Sequence, residues 1–219
     1  MSGRQDICPE DRTVIYMKFH RYLEQLFGSK VSISMLRAMI NYQGKIFTVR
    51  GLAETANVST SEAAVLVEQL EKYGVIRIQP VGKSYQISLN QKSYILNKII
   101  KPILKAEERT LGELVSTLKK HLSKRIVSAA IFGSISRGEE KEDSDIDLLV
   151  ISDNFDFDTA LISRAQEEVS LIFHSNLSPL IFGEKEFRAK KNDKLVRSII
   201  ANYIMVTGKD LRKVLGEND

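Results

Sequence analysis

The sequence predicts an α+β protein, on three observations. The N-terminal half repeats apolar residues at helical spacing and then alternates them in two short runs. A lysine-rich stretch follows, again with apolar residues three and four apart. The C-terminal half holds apolar runs of strand length, residues 129–132 and 148–151, separated by a polar, turn-rich segment.

From Asp11, a plausible cap, Ile15, Phe19, Tyr22, Leu23 and Leu26 recur at helical spacing up to a stop at Gly28. Residues 31–42 form a second helix, with Ile33, Leu36 and Ile40 on one face. A turn at Gly44 leads to a short strand over 46–49. Helices over 50–56 and 60–73 flank a turn at Asn57, Val58 and Ser59, and Gly74 ends the second. Residues 75–78 and 85–89 then alternate like paired strands around Pro80, Gly82 and Lys83.

Residues 93–125 read as two helices, one carrying Ile95, Leu96, Ile99 and Ile100, the other Leu111, Leu114, Val115, Leu118 and Leu122. Pro102 is expected to break or kink the rod between them. Such a stripe must be buried, on the C-terminal domain or on a second copy of the chain, which leaves a homodimer open. Lys119, Lys120, Lys124 and Arg125 close the segment, where they extend an anion site or solvate a helix end.

Asp145 and Asp147 begin the apolar strand of 148–151, with a helix over 158–173 and a strand over 177–182 to follow. Strand side chains alternate, so both carboxylates face one side, where they can share a hard divalent cation such as Mg²⁺ or Mn²⁺. Upstream, the apolar run of 129–132 stops at Gly133-Ser134. Gly lets the backbone approach a ligand, Ser caps or donates, and free N–H groups at such a turn attract anions. A triphosphate held there would present its α-phosphorus for in-line attack.

Gly133, Ser134, Arg137, Gly138, Asp145 and Asp147, with Ser144 before the strand, resemble the signature of the minimal nucleotidyltransferases of the DNA polymerase β superfamily. The resemblance implies a mixed sheet with helices, a nucleoside triphosphate substrate, and transfer of a nucleoside monophosphate to a hydroxyl. It assigns metal binding and catalysis to Asp145 and Asp147, and the triphosphate to Gly133 and Ser134. Arg137 would stabilise negative charge or fix the following loop, Gly138 permit the turn, and Ser144 orient the start of the strand. Active relatives generally add a third carboxylate on a neighbouring strand. Here that place falls near Ser178, with Asn176 the other polar candidate, and neither is a general base. Either the two aspartates suffice, or Glu184 or Glu186 swings in, or the site binds nucleotide without turnover.

Residues 30–90 resemble a winged helix-turn-helix domain, with 60–73 the recognition helix and the hairpin at Gly82 the wing. The resemblance implies DNA binding in the major groove. Glu62, Glu68 and Glu71 against Lys72 alone oppose it, because phosphate contacts dominate affinity. Val65 with Leu66 suits protein contact better, so DNA and a partner protein both stand, with Arg77 and Lys83 as nucleic-acid-binding candidates. The expected organisation is an N-terminal helix over 1–29, the winged domain over 30–90, a helical connector over 91–125 and the transferase domain over 126–219.

The 219 residues carry a net charge of +4, unevenly divided. Residues 91–125 hold nine basic and three acidic side chains, residues 126–219 twelve and seventeen, so the connector is +6 and the C-terminal part −5. Basic surface of that kind attracts phosphate-rich or acidic partners, or merely solvates a helix. A single cysteine, Cys8, excludes an internal disulfide and a cysteine metal cage. His20, His121 and His174 form no metal-ligand pair. No apolar run reaches membrane-spanning length and the N-terminus is too polar for a secretory signal, so no membrane and a cytoplasmic location are expected. A Mg²⁺-dependent nucleotidyltransferase is the expectation. The alternative is a nucleotide-sensing, DNA-binding transcriptional regulator with an impaired transferase domain.

Overall fold

The computed structural model describes residues 22–82, 84–122 and 126–216. Cys8, His20, Lys83, Lys124, Arg125 and most of the first expected helix lie outside them. The chain divides into two compact units, residues 1–107 and 108–219.

In the first unit, α1 (Leu23–Phe27), α2 (Lys30–Asn41), α3 (Val49–Ala56) and α4 (Thr60–Lys72) precede a hairpin of β1 (Ile76–Val81) and β2 (Ser84–Leu89). Local chemistry sets these limits. Ser29 and Thr48 accept hydrogen bonds from Ser32 N and Gly51 N, and Ser59 forms a reciprocal capping box with Glu62 at the start of α4. Asn57 ends α3 in the left-handed region, at φ +54°. Leu36, Met39, Leu52, Val67, Leu70 and Ile87 are among the residues that build the core.

Three expectations change here. The strand over 46–49 is a single bridge, Phe47 with Ile87, because Ile46 is exposed and Val49 already begins α3. The hairpin strands run on to Val81 and Ser84, through Pro80, whose missing N–H an open edge tolerates. Leu66 is buried and only Val65 is exposed, so the pair is no exposed stripe.

Nor does Pro102 break the segment that follows. A π turn over Leu96–Ile100 runs straight into α5 (Lys101–Leu122), and Lys101 N donates to Leu96 O across the wider turn. Pro102 lies inside this continuous helical run, just after the π turn, whose wider spacing accommodates the missing N–H. Ile95, Leu96, Ile100 and Leu104 belong to the first core, while Leu114, Leu118 and Leu122 belong to the second.

The second unit centres on a four-stranded mixed sheet in the order β5-β4-β3-β6. Its elements are β3 (Ser128–Phe132), α6 (Gly133–Arg137), β4 (Ile146–Ile151), α7 (Phe155–Phe173), β5 (Leu177–Phe182), α8 (Glu184–Ala189), α9 (Lys194–Ala201), β6 (Ile204–Gly208) and α10 (Leu211–Val214). β3 pairs antiparallel with β4 and β6, and β4 pairs parallel with β5 across α7.

Alternation along β4 sends Ile146, Leu148 and Val150 to one face, against Leu118, Leu122, Ile162 and Val169. Leu149 and Ile151 meet Phe182, Phe187, Val196 and Ile199 on the other. Leu148–Ile151 are all fully buried. At about 1.5–3 kcal/mol each, their burial outweighs the cost of carrying a half-buried carboxylate at Asp147. Among the described residues, no helix is long and apolar enough to cross a membrane.

Candidate active site

Register brings the two halves of the motif together. Phe132, the last residue of β3, pairs with Asp147 in β4, so the turn that follows β3 lies over the start of β4. Gly133 has φ +75°, a region that disfavours side chains. A Cβ there would sit 3.0 Å from Asp147 Cγ and would overlap Oδ2. The glycine thus lets the backbone touch the carboxylate.

Ser134, half-buried, follows in the first turn of α6. Ser136 Oγ lies 2.9 Å from Gly133 O and 3.1 Å from Asn202 O, which fastens this turn to the segment between α9 and β6. No sequence signal singled out Ser136, since its partner is 66 residues away. Gly138 closes α6 at φ +67°, with its N–H donating to Ile135 O at 3.1 Å. Arg137 Nε donates to Glu139 Oε2 at 2.7 Å. Ser144 Oγ accepts from Lys141 N at 2.8 Å and so holds the turn before β4.

Burial, and then the charge of Asp145, push the Asp147 carboxyl above its ordinary value, while Arg137 draws it down. The two aspartates thus concentrate negative charge that the protein only partly offsets. Among the described residues, no group of three His, Cys, Asp or Glu side chains could hold a metal. Two carboxylates fit a cation such as Mg²⁺, which completes its shell with water and phosphate, rather than a closed protein cage.

A raised carboxyl pKa has a definite sign. The unfolded chain gives up this proton at lower pH than the folded one, so stability falls as pH rises from the ordinary value through the raised one. Asp147→Asn removes that loss. Without divalent cations, the variant should melt above the parent at neutral pH, and the gap should close below the ordinary carboxylate range. Calorimetric melting across pH checks this.

Asp147 pairs with Ser178 in the parallel β4–β5 register, so Ser178, near the place expected for a third acid, puts a hydroxyl on the same sheet face. A cleft of about 480 Å³ opens there, lined by Asp145, Gln166, Asn176, Ser178 and Pro179 among others. Gln166 Nε2 donates to Leu177 O at 2.9 Å and fixes one wall.

Glu184 and Glu186 do not swing in. They follow the far end of β5, whose last residue, Phe182, is already roughly 13 Å along the strand from Ser178. Glu184 is held there by Arg188 at 2.6 Å, and Glu186 lies 3.8 Å from Lys190. His174 ends α7 in the left-handed region, and Lys120 pairs with Glu168 at 3.0 Å. Arg77 is exposed on β1 in the first unit.

Residues 111–213 match the nucleotidyltransferase domain family. A candidate protein adenylyltransferase of Methanocaldococcus jannaschii is 30% identical over 95 residues, covering 43% of this chain and 91% of the relative. A second from the same organism is 27% identical over 104 residues, covering 46% and 71%. Among solved structures, a toxin–antitoxin complex with AMP-PNP aligns at 14% identity and TM-score 0.34, over 48% of this chain and 81% of the other. TrmBL2, an archaeal chromatin protein, aligns at 16% identity and TM-score 0.26, over 76% and 70%.

Proposed function

Because the chain belongs to the nucleotidyltransferase domain family, we propose that it transfers AMP from ATP to a hydroxyl of a protein acceptor. The acceptor oxygen forms a bond to the α-phosphorus, the α–β phosphoanhydride bond breaks, and pyrophosphate leaves. The observation that carries the reading is the close approach of the Asp147 carboxylate to Gly133, which supports placing the turn proposed for phosphate beside the carboxylates proposed for metal. The protein acceptor is drawn from the M. jannaschii relatives.

In this reading Asp145 and Asp147 hold Mg²⁺ or Mn²⁺, which when bound neutralises charge developing on the phosphates. Gly133 and Ser134 hold the triphosphate through backbone N–H groups and the hydroxyl. Arg137 adds positive charge beside Asp147, Gly138 permits the turn, and Ser144 fixes the start of the strand. Ser178 takes no proton, so the acceptor releases its own to solvent.

The N-terminal unit is, in the same proposal, a winged helix-turn-helix domain over residues 30–90. The order of three helices and a hairpin, with the Phe47–Ile87 bridge, supports that. The Ser178 position favours a second reading, a regulator that senses nucleotide without turnover.

Incubation of the full chain with α-phosphate-labelled ATP and Mg²⁺, alone and in extract of its own cells, separates the two. Metal-dependent labelling of a protein, with pyrophosphate release, is expected. Saturable ATP binding with neither would establish the sensor.

A further inference from the structure

We infer that the cleft between α4 and the β1–β2 hairpin is a docking groove for a basic protein segment that carries an apolar anchor. The cleft has a volume of about 340 Å³. Val49, Val67 and Ile78 give it an apolar lining, with Ala64 beside them. Glu68 and Glu71 form its rim, on the same helix face as Ala64 by their spacing of four and seven residues. Glu71 Oε1 accepts from Ile78 N at 3.1 Å, so this carboxylate is held at the rim rather than swept through solvent.

Tyr85 supplies the opposite wall. It pairs with Pro80 across the hairpin and shares a face with the fully buried Ile87, yet is 58% exposed, because the hairpin outruns the core at that point. An aromatic ring left over an apolar cleft suits a large apolar side chain, and flanking lysine or arginine would meet the two carboxylates. DNA fits poorly, since the exposed positions Glu62, Glu68 and Glu71 of α4 repel phosphate and Lys72 alone attracts it. The groove lies wholly in the first unit, so the inference stands whether or not the second unit transfers AMP.

The test is fluorescence anisotropy on the full chain with three labelled probes: a short peptide of alternating lysine and leucine, its glutamate–leucine counterpart, and duplex DNA. The lysine–leucine peptide should bind most tightly. Glu68→Lys and Tyr85→Ala should each weaken it by about thirtyfold, the scale of a binding hot spot, with unchanged thermal midpoints. Glu142→Lys, in the acidic second unit, should leave it unchanged. Three outcomes would overturn the inference: equal binding of the two peptides, wild-type binding by both groove variants, or loss of binding in Glu142→Lys. Tighter binding of duplex DNA that Tyr85→Ala abolishes would assign the groove to nucleic acid instead.

Discussion

Changing both Asp145 and Asp147 to Asn is expected to abolish metal-dependent ATP binding and to reduce AMP transfer by at least about a thousandfold. The scale follows from the several kcal/mol that a divalent cation contributes to charge stabilisation at a phosphoryl centre. An amide keeps the shape of the carboxylate but offers a neutral oxygen. The fold should survive, because the substitutions relieve the burial and like-charge repulsion that raise the Asp147 carboxyl. Calorimetric titration of ATP with and without Mg²⁺ checks the binding, and a melting scan checks the fold. An ATP affinity in the double variant equal to the parent's would remove these residues from the site.

The strand that carries Asp147 was legible because its information is local: four buried residues follow that carboxylate and fix the strand. It begins one residue later than expected, at Ile146, so Asp145 immediately precedes it. Gly133 was legible as a turn, but its reason was not. The carboxylate it accommodates lies fourteen positions away and is brought over it by the β3–β4 register.

Long-range geometry accounts for the other differences. Glu184 and Glu186 were plausible third acids on a linear chain, and the parallel β4–β5 register puts them at the wrong end of the sheet. Pro102 was expected to interrupt a helix, yet a π turn absorbs it because Leu96 and Ile100 on one side and Leu104 on the other are all buried in the first core. Strand β6 had no clear pattern in sequence, since its ladder with β3 is irregular between Ala129 and Ala130.

Gly133→Val is expected to lose ATP binding and to lower the thermal midpoint, for two separable reasons. At φ +75° any side chain costs about 1–2 kcal/mol. The Cβ also displaces the Asp147 carboxylate, and valine's branches close the approach of phosphate to the turn. Gly138 isolates the first effect, because it sits at φ +67° with nothing within 4 Å of an added Cβ. Gly138→Ala should therefore lose stability on the scale of about 1–2 kcal/mol while ATP affinity falls far less. Gly133→Ala should lose at least as much stability, and most of its metal-dependent ATP affinity. If the two alanine variants bind ATP alike, backbone strain alone explains the glycine, and the contact between turn and carboxylate has no part in holding the nucleotide.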